Sequence, residues 1–393
     1  MISMIKLQKS TFYNEKETKT KLCDFIFEAS ILSMGEQCRR FEQAFSEKQG
    51  RKYSVFLNSG SSANLVLIQA MLNMGLLKRG NIVGVSALTW ATNIMPLIQL
   101  GLQPLLIDCE VNTLNVSPET FKAVLEVQPN ISALFITNTL GHADRIADVA
   151  QLCSERGILF FEDNCESLGS VIEGKNLGNW GVAATFSFFV GHHLSTIEGG
   201  MVCTDDAELY EQLVMVRAHG WDRNLQKNSQ QRLRQEFEID DFYSKYTFYD
   251  LAFNLRPTEI NGFLGNIQLE FWDDIVRGRA NNFVRLHEEI VKNEELIGLR
   301  CDHMDLISSF AIPVIVSDVA QVQKYKHRFQ QADVEFRPMI AGSMARQPFY
   351  RKYVGNPGSQ PNAEFIHRNS FYFGNNPELV DPEIDLLASL LKG

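Results

Sequence analysis

Tyr53-Ser54-Val55-Phe56-Leu57-Asn58-Ser59-Gly60-Ser61-Ser62-Ala63-Asn64 changes character twice. Residues 53–57 are rich in aromatic and branched side chains, a strand pattern, and residues 58–62 are small and polar, a turn. From Ala63 to Met74 the apolar spacing is helical. A helix entered from such a turn presents unpaired backbone N–H groups, and its dipole adds attraction for an anion. Ser61 and Ser62 add two hydroxyls, so the segment is a candidate phosphate site, although a plain N-cap gives the same pattern.

Outward from this unit, strand patterns recur at 82–85, 104–108, 133–136, 158–162, 184–189 and 201–204, alternating with helical patterns; a helix follows at 207–218. That alternation predicts an α/β fold, a mixed but mostly parallel sheet between helices. Ahead of it lie a helix near 16–30, a break at Ser33-Met34-Gly35 that is a candidate binding loop, and a helix with Phe41 and Phe45 on one face. Pro257 opens a long helical pattern through Gln268 and Leu269 that carries the chain into a smaller α/β domain. There we expect a strand at 310–316, a helix at 320–332, a turn at Arg337-Pro338 and a last helix near 383–391. The expected division is 1–262 for an N-terminal arm and large domain, and 263–393 for the small one.

A net charge of -10 over 393 residues disfavours a nucleic-acid partner, which needs clustered Lys and Arg. Seven cysteines, at 23, 38, 109, 153, 165, 203 and 301, form no C-x-x-C pair or disulfide framework and are expected to be reduced and structural, with no metal site. Apolar runs fall short of the roughly 18 residues of a membrane span, and residues 1–9 lack a leader's apolar stretch. The expected compartment is the cytoplasm, away from membranes.

Three further segments carry chemistry. Glu162-Asp163-Asn164-Cys165-Glu166-Ser167 follows an apolar strand, which puts carboxylates at the carboxyl end of the sheet, where α/β proteins bind ligands. Asp163 there suits the protonated nitrogen of a pyridine ring, and Glu166 its phenolic oxygen or the reacting carbon; an Asx-turn is the plainer alternative for Asp163. Trp90 stands just past the strand at 82–85, where it stacks on a flat ring or packs in the core. The segment Ser187-Phe188-Phe189-Val190-Gly191-His192-His193-Leu194-Ser195-Thr196-Ile197-Glu198-Gly199-Gly200 lies in a stretch without lysine between Lys175 and Lys227. Its imidazoles titrate near neutrality, whereas an amine does so near pH 10.

Taken together, Ser59-Gly60-Ser61-Ser62-Ala63, Glu162-Asp163-Asn164-Cys165-Glu166, Ser187, Glu198-Gly199-Gly200, Arg217-Ala218-His219-Gly220-Trp221 and Asn254-Leu255-Arg256-Pro257 make the chain resemble, over nearly its whole length, the fold type I pyridoxal phosphate enzymes of nucleotide-sugar metabolism. This is a family of sugar aminotransferases and dehydratases. The resemblance implies pyridoxal 5'-phosphate or pyridoxamine 5'-phosphate as cofactor, with Asp163 on the pyridine nitrogen, Trp90 stacked on the ring and Glu166 beside its reactive side. It puts Ser61, Ser62 and Ser187 on the phosphate, joined by Asn254 from the other subunit of a homodimer with shared active sites. Arg217, His219, Arg256 and Arg337 are candidates for the nucleotide diphosphate and sugar, with surface salt bridges as the alternative. The segment Ser33-Met34-Gly35-Glu36 resembles the family's nucleotide-sugar loop.

In the dehydratase branch a histidine replaces the Schiff-base lysine, and counting five residues on from Ser187 gives His192, with His193 as its rival. Imidazole moves protons without trapping the cofactor. The implied reaction is removal of the C3 hydroxyl from a nucleotide-linked 4-keto-6-deoxyhexose, with GDP-4-keto-6-deoxymannose the favoured substrate, His192 and Glu166 catalytic, and glutamate recharging the cofactor. Such a lyase serves deoxysugar and O-antigen (lipopolysaccharide) biosynthesis. A related class works with an iron-sulfur centre and a reductase; no such partner is expected here, because Cys153 and Cys165, the nearest cysteines, are twelve residues apart. The competing readings are an aminotransferase that recruits Lys175 or Lys227, and a sugar-sensing homologue without activity.

Overall fold

The computed structural model describes residues 4–393; residues 1–3, part of the stretch read for a leader, lie outside the described residues. The strands are β1 (Tyr53–Leu57), β2 (Ile82–Ser86), β3 (Gln103–Ile107), β4 (Ile131–Thr137), β5 (Leu159–Asp163), β6 (Val171–Ile172), β7 (Lys175–Asn176), β8 (Ala183–Ser187), β9 (Gly200–Thr204), β10 (Ala311–Ile315), β11 (Phe336–Pro338) and β12 (Ser370–Gly374). Seven form one sheet in the order β1-β9-β8-β5-β4-β2-β3. Only β9 runs against its neighbours there, so the sheet is mixed and mostly parallel, as expected.

Both faces are covered, which is why the strands are nearly continuous in apolar residues. In β1, Val55 and Leu57 join the core beneath helices Gly60–Asn73 and Ala207–Arg217, while Phe56 between them points to the opposite core with Phe41 and Phe45 of helix Glu36–Gln49. β4 divides likewise, Ala133 and Phe135 to one side and Leu134 and Ile136 to the other. Phe41, Phe45, Phe56, Phe186 and Phe188 meet mostly edge to face, with ring centroids 5.0 to 5.9 Å apart. Phe188 and Leu194, both in the His192 loop, belong to this cluster.

The break at 33–35 has a structural explanation. Helix Glu36–Gln49 starts there, and its first N–H groups are taken by the Glu259 carboxylate, which accepts from Gly35 (2.7 Å), Gln37 (2.8 Å) and Cys38 (3.1 Å). An internal carboxylate thus caps this helix start and fixes the conformation of the break.

In the C-terminal part, β10, β12 and β11 form an antiparallel sheet in that order. Helices Val322–Gln331 and Asp381–Leu391 pack on it through Tyr325, Phe329 and Leu387, and the end of helix Trp272–Lys292 joins them through Phe283, Leu286 and Ile290. Arg337-Pro338, expected as a turn, belongs instead to β11 and pairs with Tyr372 and Phe371 of β12. The N-terminal segment joins this unit, with Ile5 in its core and paired beside Val334. Residues 262 and 263 fall inside helix Glu259–Leu269, where Gly262 packs against the backbone of Gln37 and Cys38. Among the described residues no helix is long and apolar enough to cross a membrane.

Candidate active site

The ends of β2, β5 and β8, the turn after β1 and the start of the reversed β9 meet at one edge of the sheet, around a cavity of about 460 Å³. Ser61, Trp90, Asp163, Glu166, Ser187 and His192 all line it. Close backbone approach builds this edge. A Cβ on Gly60 would fall 2.6 Å from the Ser187 Cβ, and one on Gly200 would fall 2.1 Å from the Ser59 carbonyl oxygen. The turn into helix Gly60–Asn73 is therefore wedged between Ser187 and the Glu-Gly-Gly segment. Within it Ser59 Oγ accepts the Ser62 N–H at 3.1 Å, and the Ser62 hydroxyl donates to Asn58 at 2.6 Å. Ser61 faces the cavity, whereas Ser62 is held within the turn.

Asp163 ends β5 with its carboxylate fixed on both oxygens. Asn64 and Asn93 donate to Oδ2 at 3.0 and 2.8 Å, and the Cys165 N–H donates to Oδ1 at 2.9 Å. Glu162, one residue earlier, points the other way and accepts the N–H groups of Gly178, Trp180 and Gly181. It is structural. Glu166 accepts the Leu140 N–H at 2.8 Å, and burial, opposed by that bond and aided by the Asp163 charge, pushes its carboxyl up to about 8. Trp90 is half exposed on the cavity wall, a ring-sized flat surface open to a ligand.

The two histidines separate cleanly. Their loop connects the adjacent antiparallel strands β8 and β9 and is closed by Phe188 N–H to Gly199 O (2.8 Å) and Thr196 N–H to Phe188 O (2.9 Å). Asn261, in the capping box that opens helix Glu259–Leu269, pins it through the carbonyls of Thr196 (2.9 Å) and Glu198 (3.0 Å). His193 turns inward, its Nε2 2.8 Å from the Ser308 carbonyl oxygen. His192 lines the cavity beside Phe310, ring centroids 5.3 Å apart, with Nδ1 buried and unpartnered. Burial, and next the charge of Arg279, lowers its pKa to about 4, so the ring is neutral and able to accept a proton. Among the described residues no lysine lines the cavity; Lys175 lies on exposed β7, its Nζ 4.5 Å from the Trp180 ring centre, and Lys227 starts an exposed surface helix.

The remaining expected residues lie elsewhere in this chain. Arg217 is buried under the sheet, donating to Glu42 and, at 2.8 Å, to the Phe56 carbonyl, so the expectation of a diphosphate ligand there gives way to an internal ion pair. His219 packs on Trp221. Asn254 is bridged to Ala218 and accepts from the exposed Arg256. Arg337 pairs with Glu335 at 2.5 Å. Conversely, sequence reading missed Asn64 and Asn93, which fix Asp163, and Arg279, a charged residue on the cavity wall. Arg279 had a visible signal, a cation at helical spacing within the apolar stripe Trp272, Ile275, Val276, Phe283, Leu286.

These features suit pyridoxal phosphate: a helix start flanked by Ser61 and Ser187 for a phosphate, Trp90 for a flat ring, and a rigidly held carboxylate for a pyridinium. Comparison with known proteins agrees. A GDP-4-keto-6-deoxy-D-mannose 3-dehydratase of Yersinia pseudotuberculosis is 31% identical over 389 residues, covering 98% of this chain and 97% of the relative. An Escherichia coli GDP-4-keto-6-deoxy-D-mannose-3-dehydratase solved with bound hydrated PLP superposes with a TM-score of 0.90 at 30% identity, covering 100% of both chains. A GDP-4-keto-6-deoxymannose-3-dehydratase with a trapped PLP-glutamate geminal diamine also gives a TM-score of 0.90 at 29% identity, covering 99% of this chain and 100% of the other. The DegT/DnrJ/EryC1/StrS aminotransferase family matches residues 13–392, and this chain belongs to it.

Proposed function

We propose that the protein is a pyridoxamine phosphate-dependent lyase that removes the C3 hydroxyl of a nucleotide-linked 4-keto-6-deoxyhexose, with GDP-4-keto-6-deoxymannose as substrate and glutamate as amino donor. The observation that carries this reading is His192 on a cavity wall to which the described residues contribute no lysine. When bound, the cofactor supplies an amine that condenses with the 4-keto group and a ring that accepts electrons. Asp163, fixed by Asn64, Asn93 and the Cys165 N–H, holds the positive charge on the ring nitrogen. Ser61 and Ser187 hold the phosphate, and Trp90 stacks on the ring.

His192, neutral and with Nδ1 buried, would take a proton from the cofactor's amine-bearing methylene carbon and hand it to the departing C3 hydroxyl, which would leave as water. Glu166, kept protonated by burial, donates a hydrogen bond toward the ring's phenolic oxygen. An aminotransferase reading needs a lysine to return a proton to the sugar carbon, and Lys175 and Lys227 face away.

We infer a homodimer with shared sites, in which Asn254, Arg256 and His219 serve the partner's cavity. This is supported by the exposed aromatic cluster beside them, Phe242, Tyr243, Tyr246 and Phe248, which are 71, 67, 77 and 58% exposed in the single chain. Light scattering tests the assembly. The reading places the enzyme in the cytoplasm, in deoxysugar synthesis for surface polysaccharide, without an iron-sulfur reductase. Incubation with pyridoxamine phosphate, glutamate and GDP-4-keto-6-deoxymannose tests the reaction by mass. A sugar lighter by one oxygen supports it; exchange of oxygen for an amino group supports transamination, and no turnover of any keto sugar supports a sensing role.

A further inference from the structure

Arg279 sits on the buried stripe of helix Trp272–Lys292 and is 5% exposed, yet it lines the cavity. Its Nη1 donates to the carbonyls of Phe310 (2.8 Å) and Asn375 (2.7 Å), while Nε is buried without a partner. Among the described residues no carboxylate lies within the 4.0 Å of an ion pair. A buried guanidinium satisfied only by two neutral carbonyls is costly unless an anion joins it. Desolvation accordingly lowers its pKa to about 9, which still leaves it charged at neutral pH. The other Asp, Glu and His side chains that this chain places on the cavity wall are Asp163, Glu198, the protonated Glu166 and the neutral His192, so Arg279 is the cation that the chain contributes to its own cavity.

Two anions enter the cavity on the reading above. The diphosphate of the sugar nucleotide is separated from the reacting carbon by the width of the sugar ring. The α-carboxylate of an amino-acid donor is attached to the carbon that itself reacts, so it must lie next to the base. Arg279 shares the cavity wall with that base and is joined to it through Phe310, whose carbonyl accepts from Arg279 Nη1 and whose ring centroid lies 5.3 Å from that of His192. We propose that Arg279 receives the α-carboxylate of the glutamate donor, selecting α-amino acids for cofactor recharging. This rests on the pyridoxamine-and-glutamate reading given above. Planar, charged at neutral pH and held by Nη1, Arg279 suits a carboxylate better than a mobile lysine would.

The test is donor discrimination. The protein loaded with pyridoxal phosphate is mixed with L-glutamate or with 4-aminobutyrate, which is glutamate without its α-carboxylate, and the spectral conversion to the pyridoxamine form is followed. The expected result is that the glutamate-to-4-aminobutyrate efficiency ratio falls about tenfold or more in Arg279→Gln, the loss of a charge-assisted pair, and is partly kept in Arg279→Lys. An unchanged ratio in Arg279→Gln overturns the proposal, since a purely structural bracket would not select between donors. Equal efficiency of the two donors in the unmodified protein also overturns it, whatever the variants' folding. No conversion by glutamate in the unmodified protein overturns the donor reading itself, and is recognised without any variant.

Discussion

Gly200 lies so close to Ser59 that a Cβ on the glycine would sit 2.1 Å from the Ser59 carbonyl oxygen and 2.6 Å from the Gly60 nitrogen. The second glycine of Glu198-Gly199-Gly200 is thus a contact surface for the turn at residues 58–62, and the histidine loop and the helix start are set against each other through backbone alone. Gly200→Ala must push the two apart. We expect a loss of about 1–3 kcal/mol in urea unfolding, the usual cost of overpacking, together with weaker pyridoxal phosphate binding by absorbance titration. Unchanged cofactor affinity would show that the turn does not depend on this contact.

His192→Asn removes the imidazole proposed to carry the proton while keeping a polar side chain of smaller size. Deoxygenation should fall by at least the roughly 100-fold typical of losing general acid–base catalysis, with the melting temperature little changed. In the unmodified protein, burial and the Arg279 charge lower the His192 pKa to about 4. The base therefore stays neutral as pH falls through the ordinary histidine range. The acid limb of kcat/KM assigned to it is expected below pH 6.5; a limb near 6.5 that vanishes in His192→Asn would place an unperturbed imidazole there.

Glu166 gives a stability signature of the opposite sign. Burial raises its folded pKa to about 8, while in the unfolded chain it titrates near 4.3. Between those values the unfolded state has released a proton that the folded state keeps. Stability therefore falls as pH rises from about 4.3 toward 8, with a slope of at most about 1.4 kcal/mol per pH unit. Glu166→Gln abolishes this term and retains an acceptor for the Leu140 N–H. Cofactor-free variant and parent should match near pH 4.5, with the variant the more stable at pH 8 by chemical denaturation; parallel curves would mean that Glu166 ionises normally.

The sheet and its phosphate turn were legible because each strand and the helix after it are local, with the period changing from two to 3.6 across a small-residue turn. The place of Asp163 and His192 on the cavity wall was legible because they stand at fixed distances from such strands. The missed features are long-range. β11 was read as a turn because its partner β12, Ser370–Gly374, lies more than thirty residues away, and Arg337-Pro338 has no strand signal without it. Arg217 looked like a ligand-binding arginine because its counter-ion, Glu42, comes from a helix 175 residues earlier. Arg279 belongs to neither strand nor motif, and only the folded helix brings it to His192.

The pairing of Arg217 with Glu42 yields its own prediction. Both are largely buried, and Glu42 also accepts the Phe56 N–H at 2.8 Å, so removing the arginine leaves an uncompensated carboxylate under the sheet. Arg217→Gln should cost roughly 3 kcal/mol or more in unfolding free energy, as broken buried pairs do. The double variant Arg217→Gln with Glu42→Gln should recover much of that. A single variant of normal stability with a raised KM for the sugar nucleotide would instead return Arg217 to the binding site.

His142 provides the clearest acid-sensitive element away from the active site. It is fully buried, both ring nitrogens lack partners, and its ring packs 5.0 Å from that of Phe283. Burial, reinforced by the nearby His287 and His303, lowers its pKa to about 3. Below about pH 6.5 the unfolded chain binds a proton at this residue that the folded chain cannot, so stability falls as pH drops from 6.5 toward 3. His142→Leu keeps an apolar contact with Phe283 and removes both unsatisfied atoms, worth about 1 kcal/mol at neutral pH. The variant's advantage in urea unfolding should grow between pH 7.5 and pH 5.0 by up to about 1.4 kcal/mol per unit below 6.5. His192 and His193 have lowered pKa values of their own and leave a residual acid slope in both proteins, so the quantity to compare is the difference between the two curves. A constant difference across that range would show that His142 finds a proton-sharing partner in the folded protein.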